Sequence, residues 1–397
     1  MLPPVPSGFR LTGVHCGIKV DATKNDLTLV VADQPATAAA VYTQNVIVAA
    51  PVVFDRERTP SDHMRVVVVN SGNANACTGE RGWRDAQEMA QLAAESVAAE
   101  ASQSLVMSTG VIGQFLPMEE IAAGIRAAAE QLGDQGDALL AAAHGIMTTD
   151  KGPKIAGRSI TIQDRQVHVT GIAKGAGMIG PKMATMLAVI LTDAALRPHE
   201  AQRALQEAVD QSFNCISVEG HMSTNDTVLL LASGAAVGEM GTEAHRAEFQ
   251  ATLNELCVDL ACMIPDDGEG ASHLITIHVS GCAHRDDAFR IAQTIANSPL
   301  VKTGIAGADP NWGRFLSAAG QAGVDFNPDG VTLSLNGMVV YRDGAPVDFD
   351  RVAASDSIRD QRETLVEIQF GEGDASVRFW TSDLTVDYVR LNSEYTS

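Results

Sequence analysis

The chain is short of several things, and each shortage narrows what it can do. Its 397 residues hold 28 Lys and Arg against 49 Asp and Glu, a formal net charge of −21. A surface this acidic repels phosphate backbones and anionic membranes, so neither nucleic acid nor a membrane is expected as a partner. The six Cys (Cys16, Cys77, Cys215, Cys257, Cys262 and Cys282) include no C-x-x-C pair. They read as scattered, mostly buried thiols rather than a redox or zinc site. The ten His are dispersed, with no H-E-x-x-H and no Cys/His cluster at zinc spacing. No apolar run reaches membrane-spanning length. The opening "MLPPVPSGFR" lacks the basic and apolar regions of a signal peptide. A reducing, cytoplasmic setting is the expectation.

What is present is a large α/β chain. Its hydrophobic fraction of 45% is that of a globular protein. Short apolar runs predict strands at "DLTLVVA" from Asp26, "RVVVVN" from Arg65, "MLAVILTD" from Met186, "DTVLLLA" from Asp226, "HLITIHVS" from His273, "VTLSL" from Val331 and "LVEIQF" from Leu365. Segments of helical period begin at Arg84, Pro117, Pro198, Glu243 and Asp286, and Pro117 and Pro198 are placed as helix-starting prolines. "DQGD" from Asp134 reads as a loop. Strands and helices alternate irregularly, which favours a layered α/β or α+β fold over a strict βαβ series.

One stretch, "AKGAGMIGPKMATMLAVILTDA" from Ala173, carries Gly175, Gly177 and Gly180 at G-x-G-x-x-G spacing. A dinucleotide loop needs a strand before the glycines and a helix after them. "RQVHVTGIA" from Arg165 supplies the strand, but "MLAVILTD" reads as a second buried strand. A P-loop would need Lys directly after Gly180, where Pro181 stands. The same stretch places Thr185 at the start of that second strand. A Thr hydroxyl becomes a nucleophile when a base lies beside it. Cutting the chain before Thr185 would supply its own α-amine, with a reference pKa of roughly 7.7–8.0. A strained turn over 175–184 would help drive such a cut. From spacing alone, an ordinary strand-edge Thr remains the simpler reading.

The wording of several stretches changes that balance. "KGAGMIGPKMATMLAVILTDA" closely resembles the self-processing site of the ornithine acetyltransferases, the bifunctional glutamate N-acetyltransferase/amino-acid acetyltransferase family of arginine biosynthesis. "GFRLTGVHCGIK" from Gly8, "VNSGNANACTG" from Val69, "MSTGVIGQFLPME" from Met107 and "IMTTD" from Ile146 resemble the same family. So do "SFNCISVEGHMSTNDTVLLLA" from Ser212, "DDGEGASHLITIHV" from Asp266, "VKTGIAGADPNWGR" from Val301 and the terminal "RLNSEYTS". The resemblance covers nearly the whole chain.

The resemblance implies an N-terminal-nucleophile-like αββα sandwich, shared with self-processing aminopeptidases. It implies a precursor cut between Ala184 and Thr185 into an α chain, 1–184, and a β chain, 185–397, assembled as α2β2 or larger. Thr185 would take the acetyl group of N2-acetyl-L-ornithine, release L-ornithine, and pass the acetyl to L-glutamate, a ping-pong transfer. No metal or organic cofactor is implied; acetyl-CoA is a second donor in some members. Thr109 and Gly110 match the oxyanion hole. Thr148, Lys174, Thr185, Glu269, Asn392 and Ser397 match substrate-binding positions. Lys174 could hold a carboxylate and favour the free amine of a new N-terminus; the Glu269 carboxylate suits the ammonium of ornithine.

The chain departs from the family pattern at Cys215, where many members have Arg, and at His221, where many have Asp. Gly304 stands where Ala is common, and Ser397 where Thr is frequent. None of these changes removes an assigned catalytic group. "NSGNANACTG" is expected to form a structural turn near the site. Trp312 and Arg314 either line the pocket or pack a loop. Two alternatives stay open at this point: an amidohydrolase or aminopeptidase of the same architecture, and a noncatalytic amino-acid-binding protein.

Overall fold

A computed structural model describes residues 2–180, 186–238 and 240–394. Two mixed sheets organise them. The first contains β1 (Phe9–Val14), β2 (Leu27–Tyr42), β3 (Ser61–Asn73), β4 (Ser104–Val111), β5 (Lys154–Ile162), β6 (Arg165–Lys174), β7 (Leu187–Ala194) and β9 (Thr227–Val237). Its order is β4-β3-β2-β9-β7-β6-β5, with β1 paired to β2. The second contains β8 (Ile216–Ser217), β10 (Leu274–Cys282), β11 (Thr332–Leu335), β12 (Met338–Arg342), β13 (Ala345–Pro346), β14 (Glu363–Gln369) and β15 (Ala375–Ser382). Its order is β13-β12-β11-β14-β10-β15-β8.

The helices are α1 (Ala50–Arg56), α2 (Gly79–Ser96), α3 (Met118–Ala129), α4 (Gly136–Ile146), α5 (Pro198–Gln211) and α6 (Glu243–Asp266). They continue as α7 (Arg285–Ala296), α8 (Pro299–Ala306), α9 (Trp312–Ala319), α10 (Arg351–Arg359) and α11 (Val386–Glu394). Two mixed sheets with helices packed on them agree with the αββα type that the resemblance implies.

Every predicted strand and helix is present, but several boundaries move. β2 runs on past Ala32 through the exposed Asp33, Gln34 and Pro35. Pro35 has no N–H to give a ladder, and it sits where the β2–β3 register shifts between Val31 and Ala36. Beyond it β2 pairs with β9, Thr37 to Tyr42 against Ala232 to Thr227. The expected loop at Asp134 is cut short, because α4 already begins at Gly136. The thiols are less uniformly buried than expected: Cys215, Cys257 and Cys282 are buried, Cys16 and Cys262 are intermediate, and Cys77 is exposed.

The core follows from the patterning. β7 is buried along its whole length, because it lies between β6 (antiparallel) and β9 (parallel) with apolar cover on both faces. Ile190 and Leu230 pack with Leu205 of α5 and Leu253, Leu256 and Leu260 of α6, in a cluster that extends to Ile277, Ile291 and Phe379 around the second sheet. Leu187 and Val189 face the other way, with Leu139 and Ile146 of α4. A third cluster sets Leu29, Val68 and Val106 against Met89 and Ile121. These packings fix the ends of β4, β6 and β7, where the candidate site residues emerge.

Leu260 is fully buried in the largest cluster. Leu260→Ala is expected to cost about 2–5 kcal/mol, read as a lower urea midpoint with an unchanged slope.

Candidate active site

The first element of the site is the end of β4. There Thr109 is buried and Gly110 sits at φ +135°. β4 runs parallel to β3 with Gly110 opposite Gly72. A Cβ added at Gly110 would lie 2.2 Å from the carbonyl carbon of Gly72, so any side chain there pushes the strands apart. Asn225 ties this end down: its side-chain amide donates to the carbonyls of Ala74 (2.6 Å) and Ser108 (2.9 Å). Only part of the "NSGNANACTG" stretch is the turn expected of it: Asn70 to Asn73 finish β3, residues 74–78 form the bend, and Gly79 starts α2.

β6 brings in Lys174, which is 2% exposed. Its Nζ donates to Thr109 Oγ1 at 3.3 Å. A hydroxyl that accepts from Lys174 still has its own proton to give, so Thr109 Oγ and the Gly110 N–H can both donate to developing negative charge. Burial lowers the Lys174 pKa, opposed by the Asp150 charge, while Lys154 lowers it further.

Asp150 is the group that sequence reasoning did not assign. It follows α4 in "IMTTD". Its Oδ1 accepts from Gly175 N at 2.7 Å and from Lys154 Nζ at 2.6 Å, and its Oδ2 accepts from Thr148 N at 2.9 Å. Lys154 also donates to Asp267 Oδ2 at 2.6 Å. Burial alone would raise the Asp150 pKa, yet Lys174, Lys154 and the Gly175 N–H outweigh it and hold the carboxyl at about 2. One carboxylate thus joins the start of the glycine turn to Thr148.

The turn itself is shaped by its neighbours. Glu269 N donates to Ala176 O at 2.9 Å. A Cβ at Gly177 would fall 2.5–2.6 Å from the Glu269 carboxyl atoms, so only glycine lets that carboxylate lie against the turn. Met178 adopts φ +59°, a left-handed conformation that costs a residue with a Cβ about 1–2 kcal/mol. Asn392 of α11 donates to Glu269 Oε2 at 3.0 Å. Among the described site residues, Thr109, Gly110, Thr148, Lys174, Glu269 and Asn392 are all brought into one connected group. Ala184, Thr185 and Ser397 lie outside the described residues.

Two more carboxyls border the turn and were not singled out from sequence. Asp226 is fully buried; its Oδ1 accepts from Met186 N at 3.1 Å, and burial pushes its pKa up to about 7. Glu219 Oε1 accepts from Ile179 N at 2.5 Å. Burial, with the Glu269 charge adding to it, pushes Glu219 up to about 8. Both were inside quoted stretches, "SVEG" and "STND", but nothing in their spacing marks them as buried. Trp312 stacks near Tyr341 (5.2 Å between ring centres) and Arg314 Nη1 donates to Leu300 O at 2.7 Å. Of the two roles open to them, these contacts are those of loop packing. A separate cavity of about 510 Å³, lined by Leu196, Arg203, Met240 and Phe249 among others, shares none of the site residues. Among the described residues no three His, Cys, Asp or Glu are grouped to hold a metal ion.

A family model described as the ArgJ family matches residues 10–397. The chain belongs to the ArgJ family. The "Arginine biosynthesis bifunctional protein ArgJ" of Rhodopirellula baltica is 46% identical over 396 residues, spanning 99% of this chain and 96% of its own length. The protein of the same name from Symbiobacterium thermophilum is 45% identical over 393 residues, spanning 98% and 97%. In the crystal structure of ArgJ from Bacillus halodurans, 98% of that chain matches 52% of this one, at 34% identity and a TM-score of 0.51. The likeness to ArgJ proteins thus runs through every segment that contributes to the site.

Replacing Asp150 tests its position at the hub. Its folded pKa lies below the ordinary 3.8, so its contribution is present above pH 3.8 and is lost as pH falls toward 2. Asp150→Asn leaves Lys154 and Lys174 short of a counter-charge. It is expected to cost about 3–5 kcal/mol at neutral pH and to flatten the acid limb of a circular-dichroism unfolding curve between pH 4 and 2.

Proposed function

We propose that this chain is a self-processing acetyltransferase of arginine biosynthesis, moving an acetyl group from N2-acetyl-L-ornithine to L-glutamate. The observation that carries the reading is the meeting of Lys174 with Thr109 and Gly110 at the ends of β6 and β4. A cation and two donors thus lie near the start of β7, which begins two residues after Thr185. ArgJ family membership supports the reaction class.

The proposed sequence starts with a cut between Ala184 and Thr185, giving chains 1–184 and 185–397. The coverage of the Bacillus halodurans chain supports this division, since nearly all of it corresponds to about half of this sequence. The free α-amine of Thr185 then accepts the proton of its own hydroxyl. The hydroxyl oxygen attacks the acetyl carbonyl, and negative charge collects on the carbonyl oxygen facing Thr109 Oγ and Gly110 N. Collapse of the intermediate breaks the C–N bond, the proton moves to the leaving nitrogen, and ornithine departs. Glutamate repeats the steps in reverse order and leaves as N-acetyl-L-glutamate. Lys174 holds the α-carboxylate shared by both substrates. Glu269 and Asn392, with Thr148 and Ser397, bound the rest of the pocket.

No separate cofactor enters these steps; acetyl-CoA serves as an alternative donor to the same Thr185. The cut chains pair as α2β2 or larger, in the cytoplasm. None of the described helices is long and apolar enough to cross a membrane.

Denatured intact mass is the direct test of the cut. Wild type is expected as two fragments, ending at Ala184 and beginning at Thr185, with Thr185→Ala uncut. A single wild-type chain overturns the mechanism. In steady-state assays, parallel double-reciprocal lines for the two substrates are expected. Thr109→Ala is expected to lower kcat by about 10²–10³ with little change in KM. Release of free acetate in place of N-acetylglutamate would make the enzyme a hydrolase instead.

A further inference from the structure

A ping-pong transfer between these substrates, on which the inference rests, carries a contradiction within it. The same pocket must take the cationic side chain of the donor and then the anionic side chain of the acceptor. A fixed carboxylate suits the first and repels the second. We propose that Glu219 is the specificity residue that lets one pocket accept both.

The geometry points to it. Glu219 and Glu269 approach the same turn: one through Ile179 N, the other through Ala176 O and the space over Gly177. One Glu219 oxygen is spent on Ile179. The other, Oε2, is shielded from water and has no hydrogen-bond partner among the described residues. A buried carboxylate oxygen left without a donor costs free energy unless a proton or a ligand occupies it. Glu269 differs, since one of its oxygens already accepts from Asn392.

The charged and titratable groups around Glu219 come from three sides. Glu269 raises its proton affinity, and Lys302 of α8 lowers it. Tyr388 of α11 faces both carboxyls, with its own pKa raised by burial and then by their charges. Lys302 is itself occupied, donating to Thr381 Oγ1 at 2.9 Å and to the Ser382 carbonyl, so it does not neutralise Glu219 by direct contact. Burial dominates the balance and pushes the carboxyl up to about 8.

At neutral pH burial favours the neutral acid form of Glu219, with the proton on the unpartnered Oε2. When the δ-ammonium of N2-acetylornithine reaches Oε2, water entering with the substrate carries off the carboxyl proton, and the carboxylate pairs with the cation. When ornithine leaves, the proton returns. The O–H then donates to the γ-carboxylate of glutamate, which a second fixed negative charge would have rejected. Each turnover releases and regains one proton at this carboxyl, with no net change.

The test is the pair of KM values between pH 6.5 and 8.5. In wild type, the KM for N2-acetylornithine is expected to fall as pH rises through about 8, while the KM for glutamate rises. Glu219→Gln fixes the neutral state. At pH 7 it is expected to raise the donor KM about tenfold or more, the loss of one charge-assisted bond. The glutamate KM should move by less than twofold, and both pH trends should disappear. Glu219→Asp is expected to keep opposite trends. Parallel trends in wild type, or equal shifts of both KM values in Glu219→Gln, would overturn the proposal while leaving the acetyl transfer in place. If wild type transfers no acetyl between these two substrates, the function itself fails.

Discussion

The buried carboxylate of Asp150 is the constraint on which the site depends. A carboxylate out of water is tolerated only when cations and donors surround it. Here Lys154, Lys174 and the amides of Thr148 and Gly175 do so. Satisfying that one charge aligns the end of α4, the end of β6 and the first residue of the glycine turn. Lys174 is then left pointing its ammonium at Thr109. Thr109 Oγ1 and the Gly110 N–H are thereby fixed by the protein itself, which is the condition for electrostatic preorganisation of the role proposed for them.

The strand and helix cores were legible in sequence because burial imposes a period. "MLAVILTD" and "DTVLLLA" are continuous apolar runs and form β7 and β9, each buried where it lies inside the sheet. The extension of β2 was not legible. Asp33, Gln34 and Pro35 look like a turn, and only pairing with the distant β9 makes a strand of residues 37–42. α4 was missed because "GDALLAAAHGI" opens on turn-forming residues, and its face is set by packing against β1 and β2.

Site residues divided along a similar line. Thr109, Gly110, Lys174, Glu269 and Asn392 were found through resemblance, and the structure brings them together. Asp150, Glu219 and Asp226 were not found, because burial gives an acidic residue its meaning and spacing does not reveal burial. The glycine pattern was read correctly as no dinucleotide loop: β7 (Leu187–Ala194) occupies the place of the required helix. Gly177 serves instead to admit the Glu269 carboxylate.

The pairing of β6 with β7 and of β2 with β9 has a consequence for connectivity. A cut between Ala184 and Thr185 would assign β2 and β6 to one fragment and β7 and β9 to the other. Two ladders, Val169 to Lys174 against Thr192 to Leu187 and Thr37 to Tyr42 against Ala232 to Thr227, would then hold the fragments together through the interior of one sheet. Such fragments could not part on dilution as ordinary subunits do, since separation would mean unfolding both. A cut in this architecture would alter covalent bonding while both ladders stay paired. The precursor and its products would share these ladders and differ in the new ends: a carboxylate on Ala184 and an amine on Thr185.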